Sequence, residues 1–62
     1  MSAQYVQNID AVRARLRVIA DMTYLLERDQ ELRNGSMKNV ELERHLAPIF
    51  DNLHALKREA NP

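Results

Sequence analysis

The chain has 62 residues, with nine basic and nine acidic side chains and a formal net charge of zero. A chain of this length forms one domain at most, and it buries only about 60% of the surface that its unfolded form exposes. Cysteine is absent, which excludes disulfides and thiolate metal sites, so we expect oligomerisation or docking on a partner to supply the missing stability.

The composition is typical of an all-α protein. Glycine occurs once and proline twice, and the aromatic residues are two tyrosines and one phenylalanine, which leaves few turn formers and few residues that favour strands. No apolar run approaches the about 20 residues of a membrane-spanning helix, and no basic segment followed by an apolar run opens the chain. We therefore expect residues 1–62 to form a single helical domain of a cytoplasmic protein, without a membrane partner.

The first predicted helix covers residues 3–33 approximately. Its apolar positions recur at alternating spacings of four and three residues, which is the heptad pattern of a helix that packs along one seam. The seam positions are Tyr5, Ile9, Val12, Leu16, Ile19, Thr23 and Leu26, of which Thr23 is polar. A second apolar stripe lies to one side of the first, because successive residues are rotated by about 100°. It consists of Val18, Met22, Leu25 and Leu32.

A turn is predicted at residues 34–36, around the only glycine of the chain. Gly35 can adopt the left-handed conformation that ends a helix, and Ser36 can accept a backbone N–H at the start of the next one. The second predicted helix covers residues 37–59 approximately. Because the connection is short, we expect the two helices to be antiparallel neighbours in a helical hairpin.

The second predicted helix repeats the apolar spacing across a proline. Its seam consists of Leu42, Leu46, Ile49, Leu53, Leu56 and Ala60. Because the repeat continues on both sides of Pro48, the pattern favours a kinked helix over a broken one. Pro48 and Arg44 then lie on the outer face, where water satisfies the carbonyl that loses its hydrogen bond. The alternative is a new helix that begins with Pro48.

The two apolar stripes of the first helix require more than one neighbouring helix. The simplest arrangement is a homodimer that forms a four-helix bundle, and the alternative is a groove on another protein. The first predicted helix is also the longer one, so its N-terminal end, including Ile9, is expected to project beyond the second. The residues that we expect at a dimer or partner interface are Tyr5, Ile9, Val18, Met22, Leu25, Leu32 and Phe50.

The spacing of the potentially catalytic and metal-binding side chains keeps them apart. His45 and His54 are nine residues apart and therefore face opposite sides of one helix, and no zinc-binding spacing occurs. Asp51 and His54 can touch on the outer face, but catalysis also needs a nucleophile and a pocket. We therefore expect no enzymatic activity, no catalytic residues, no metal, no cofactor and no small-molecule substrate.

The leading functional prediction is a protein–protein interaction module: a small adaptor, co-chaperone or inhibitor that acts through an apolar helical face. The alternative is a regulatory dimer that binds nucleic acid through Arg13, Arg15 and Arg17. Asp10 and Asp21 share a face with two of these arginines and offset their charge. Because nucleic-acid binding depends on neutralising phosphates, this mixture of charges disfavours the alternative.

In its length and its predicted hairpin the chain resembles the repressor-of-primer family. That resemblance is one of size and pattern, and it implies a hairpin dimer that binds paired RNA loops. The chain is also similar in length and plan to the small co-chaperones of type III secretion needles.

Overall fold

The computed structural model describes the backbone of residues 3–60 and the side chains of residues 8–60. Residues 3–60 form two long helices and one short helix: α1 is Ala3–Glu27, α2 is Gln30–Arg33 and α3 is Asn39–Ala60. Residues 3–60 contain no strand, which confirms the all-α prediction. α1 packs along α3, and α2 belongs to the connection between them.

The first helix ends at Glu27 and not near the predicted residue 33. Asp29 interrupts it with an extended backbone, at φ −66° and ψ 123°. The Asp29 carboxylate accepts the backbone N–H of Glu31 at 2.9 Å and thereby caps α2. Aspartate is among the strongest N-capping residues, so a local hydrogen bond ends the long helix within a continuous helical sequence pattern.

The turn after α2 is built on Gly35, as predicted. Gly35 has a φ of 72°, its N–H donates to the Leu32 carbonyl at 3.1 Å, and the N–H of Ser36 donates to the Glu31 carbonyl at 2.8 Å. These two bonds form a Schellman motif, which requires the left-handed conformation that glycine adopts without a Cβ penalty.

The predicted capping role of Ser36 is wrong. Its hydroxyl donates to the Glu31 carbonyl at 3.2 Å and so stabilises the end of α2. α3 begins at Asn39, and the carbonyl of Lys38 accepts the N–H of Leu42 at 3.0 Å. Ser36 therefore lies too far before the first turn of α3 to cap it.

α3 continues through Pro48 without a break, so the alternative of a new helix that begins there is wrong. The predicted outer position of Pro48 is also wrong. Its ring is half-buried and lines a groove with Met22 and Leu26 of α1, because the side of α3 that faces α1 is rotated towards this residue. One turn later, Asn52 Nδ2 donates to the Pro48 carbonyl at 2.7 Å.

α1 and α3 lie side by side in a single layer, with opposite directions. Arg15 of α1 bonds to Glu59 near the end of α3, whereas Asp29, after α1, lies 3.9 Å from His45 in the first half of α3. The layer has extents of 49 × 17 × 10 Å and a radius of gyration of 14.8 Å, against about 11 Å for a compact chain of this length. A single layer has no second layer to enclose a core, and among residues 8–60 the only buried side chain is Ile49, which is 7% exposed.

The seam between the two long helices is rotated relative to the predicted one. Leu16 is 49% exposed and Leu53 is 41% exposed, although the sequence pattern places both in the centre of the contact. Arg15 and Asn52 are half-buried in their place. The apolar positions of α1 cover roughly half of the helix circumference. Because α3 packs against the middle of that arc, apolar side chains remain exposed on both flanks.

Candidate interaction surfaces

The single layer has two broad faces, and large apolar side chains are exposed on both of them. The Leu16 face carries Ile9 and Leu16 of α1 together with Phe50 and Leu53 of α3. The Leu25 face carries Val18 and Leu25 of α1 together with the half-buried Pro48 of α3. The rotation of about 100° per residue places these two sets on opposite flanks of the seam.

On the Leu16 face Ile9 of α1 lies beside the C-terminal end of α3. A hollow of about 200 Å³ is lined by Ile9, Val12 and Arg13 of α1 and by Ala60 of α3. Ile9 therefore lies next to Ala60 at the end of α3, and the rest of the end that was predicted to project lies outside the described side chains. Because α1 ends at Glu27, the two long helices have 25 and 22 residues, and the difference in their lengths is smaller than predicted.

On the Leu25 face the two helices form an open groove of about 320 Å³. Met22, Leu25 and Leu26 line it from α1, and Arg44 and Pro48 line it from α3. Leu25 is 68% exposed, so the groove has an apolar rim that no residue within 8–60 covers. Its floor is formed by side chains that the sequence pattern assigns to two separate stripes.

A polar network replaces part of the predicted apolar seam. Arg15 donates from Nη1 to Asn52 Oδ1 at 2.8 Å and from Nη2 to Glu59 Oε1 at 2.6 Å. The hydrogen bond with Glu59 raises the pKa of Arg15 above its ordinary value, and the buried Arg15 Nε has no hydrogen-bond partner among the described residues. Asn52 also donates from Nδ2 to Met22 Sδ at 3.6 Å. The network holds Arg15 between the helices, where a polar residue fixes the register of packed helices.

Sequence reasoning missed this network, although a signal for it exists. Arg15 lies three residues after Val12 and four before Ile19, which is the spacing of a seam position. Glu59 likewise lies three residues after Leu56. The predicted role of Arg15 in nucleic-acid binding depends on a guanidinium that points to solvent, and the guanidinium instead bonds across the seam.

Acidic side chains from the two sides of the connection meet near the turn. A hydrogen bond between the carboxyl groups of Glu31 and Glu41 raises the pKa of Glu31, and the negative charges of Glu41 and Asp29 raise it further. His45 Nε2 lies 3.9 Å from Asp29 Oδ2. Among residues 8–60 no group of three or more His, Asp or Glu side chains is arranged to hold a metal ion. The cluster therefore places like charges on the two sides of the connection between α1 and α3.

The predicted interface residues fall into three groups. Ile9 and Phe50 are exposed on the Leu16 face, and Val18 and Leu25 are exposed on the Leu25 face. Met22 and Leu32 are half-buried. Tyr5 belongs to α1, and its side chain lies outside the described side chains.

Asp51 and His54, the predicted outer pair, are both exposed on α3. Neither long helix contains an apolar stretch that could cross a membrane within the described residues.

Comparisons of the chain with protein-family models, with curated proteins and with solved structures found no match.

Proposed function

We propose that this protein is a small non-enzymatic interaction module that binds a protein chain, a second copy of itself included, through an apolar helical face. One observation carries the proposal: eight large apolar side chains are exposed among residues 8–60, whereas one is buried. Because an isolated domain gains its stability from apolar burial, this surface is typical of a chain that a partner completes.

The accessible surface area supports the same proposal. The chain exposes 5174 Å², whereas a compact folded protein of 7.2 kDa exposes about 4,100 Å². The difference is larger than the about 800 Å² that each partner buries in an interface of standard size. A second pair of helices stacked on one face produces a four-helix bundle, with α3 kinked at Pro48.

The nucleic-acid alternative has weaker support. Arg13 and Arg17 are exposed, but Arg15 bonds to Asn52 and Glu59, so the three arginines form no common basic face. A chain of zero net charge needs such a face to bind phosphates. RNA or DNA binding that is lost steeply with rising salt supports the alternative, and absence of binding at low salt contradicts it.

Sedimentation equilibrium at micromolar concentration tests the proposal, together with affinity purification of the tagged chain from its native host. We expect a species of twice the 7.2 kDa chain mass or a stoichiometric complex with a second protein. Phe50→Ser is expected to weaken the association that uses the Leu16 face. Val40→Ser, on the same helix but off both faces, is the matched control. A stably folded monomer that captures no protein contradicts the proposal.

A further inference from the structure

We propose that the Leu16 face is covered by a second copy of this chain. The two copies are related by a two-fold axis that runs perpendicular to the helices, at the level of Ala20 and Phe50. The inference rests on the proposed function, and it specifies the partner, the face and the axis. The Leu16 face is favoured because both long helices contribute large exposed apolar side chains to it, whereas α1 alone contributes them to the Leu25 face.

On α1 two residues of opposite charge lie at equal distances from Ala20 along the edge of this face. Ile9, Arg13, Leu16, Ala20 and Glu27 are spaced by four, three, four and seven residues, so they form one strip along the helix. Arg13 and Glu27 are both exposed, and each lies seven residues from Ala20. The strip therefore has a positive charge on one side of its midpoint and a negative charge at the same distance on the other side.

On α3 the same arrangement occurs about Phe50. Glu43 and Lys57 are exposed and lie seven residues before and after Phe50, on the strip that also contains Leu46 and Leu53. Phe50 is 52% exposed. This strip also has opposite charges at equal distances from its midpoint.

The contacts between α1 and α3 place the two midpoints at one level. Arg15 bonds to Asn52 and Glu59, so it lies level with the part of α3 between them. Met22, further along α1, accepts a hydrogen bond from Asn52. Ala20, five residues after Arg15 on the antiparallel helix, therefore lies level with Phe50. One axis can then relate both strips to their copies.

This axis brings opposite charges together at four places. Arg13 faces Glu27 of the partner subunit, and Glu43 faces Lys57 of the partner subunit, each twice by symmetry. Phe50 lies against its own copy on the axis, and the small side chain of Ala20 permits close approach of the two α1 helices. A two-fold axis parallel to the helices would instead stack α1 on the partner's α3. Arg13 would then lie against the partner's Lys57, and Glu27 against the partner's Glu43. Like charges at both positions disfavour that arrangement.

A charge swap tests the axis. Arg13→Glu and Glu27→Arg are each expected to raise the dimer dissociation constant about tenfold, because each reversal replaces two exposed attractions with two repulsions. The double variant Arg13→Glu/Glu27→Arg is expected to restore the dissociation constant to within about threefold of the original value. Arg44→Glu makes the same change of charge on the Leu25 face and is expected to leave the dimer intact. Sedimentation equilibrium measures all four variants, and circular dichroism checks their helicity.

Cross-linking tests the axis independently, because the chain has no cysteine. Phe50→Cys is expected to yield a covalent dimer with a short bis-maleimide. Val40→Cys is the control, since its two copies would be about 30 Å apart along the helices. A dimer that Arg44→Glu weakens, that Arg13→Glu leaves unchanged or that Phe50→Cys does not cross-link overturns this inference and leaves the proposed function standing. A monomer at all concentrations overturns it as well, and capture of another protein then decides the proposed function separately.

Discussion

Replacement of Ile49 by alanine is the most direct test of where this fold gains its stability. Ile49 is the only buried side chain among residues 8–60, at 7% exposure, and it lies in the middle of the contact between α1 and α3. Isoleucine-to-alanine changes in protein cores cost about 2–5 kcal/mol. Because the neighbours here are half-buried and can relax into the space, we expect the lower end of that range, about 2–3 kcal/mol.

That cost is large for a chain of this size. Domains have about 0.05–0.15 kcal/mol of stability per residue, or about 3–9 kcal/mol for a chain of this length, so Ile49→Ala removes a third or more of the total when the total is near the middle of that range. The assay is urea unfolding followed by circular dichroism, at a fixed protein concentration because self-association shifts the apparent stability.

Two control variants accompany the measurement. Ile49→Val keeps most of the side chain and is expected to cost about 0.5–1.5 kcal/mol. Val40→Ala, at a position that is 60% exposed, is expected to change the stability by at most about 0.5 kcal/mol. If Ile49→Ala costs no more than Val40→Ala, Ile49 is not the centre of the packing, and the seam between α1 and α3 that buries it is refuted.

Three further predictions concern the rotated seam and the connection. Leu16→Asp and Leu53→Asp are each expected to leave the helicity of the chain largely intact and to weaken its self-association, because both positions are partly exposed. The seam predicted from the sequence would instead bury the new charge and unfold the chain, so helicity measured at low protein concentration separates the two expectations. Because the hydrogen bond with Glu41 raises the pKa of Glu31 above 4.5, the folded state binds this proton more tightly than the unfolded state does. The resulting stabilisation is complete below pH 4.5 and is lost as the pH rises through the raised pKa, so Glu31→Gln is expected to raise the urea midpoint at pH 7 relative to the unsubstituted chain; an unchanged or lower midpoint contradicts this assignment. Gly35→Ala is expected to cost about 1–2 kcal/mol from its φ of 72° alone, since a Cβ there would meet no atom of the described residues within 4 Å. A thermal melt equal to that of the original chain contradicts this expectation.

The helical class and the main turn could be predicted from the sequence because both depend on local chemistry. The shortage of glycine, proline and aromatic residues leaves helix as the favoured local structure, and Gly35 is the one residue suited to the left-handed position of a Schellman motif. The interruption at Asp29 was also local, but it was not predicted, since the apolar spacing continues through it and conceals the capping carboxylate.

The rotation of the seam could not be predicted from periodicity. The apolar residues of α1 cover an arc wider than one neighbouring helix can bury, so several rotations of α1 about its axis satisfy the pattern equally well. Arg15 bonds to Glu59 and Asn52 from a position between Val12 and Ile19, and apolar periodicity assigns no value to such a contact. The bonds between distant residues select one rotation of each helix, and that rotation leaves Leu16 and Leu53 outside the contact between α1 and α3.

The residue types and their spacing are enough to make this protein helical, to place its glycine turn and to show that its apolar residues exceed what one pair of helices can cover. Which apolar residues are covered, and which remain exposed on the Leu16 and Leu25 faces, depends on how α1 and α3 pack. The physical reason is that helix formation and turn geometry depend on neighbours within a few residues, whereas the facing side of each helix depends on contacts such as Arg15 with Glu59, which are 44 residues apart in the chain.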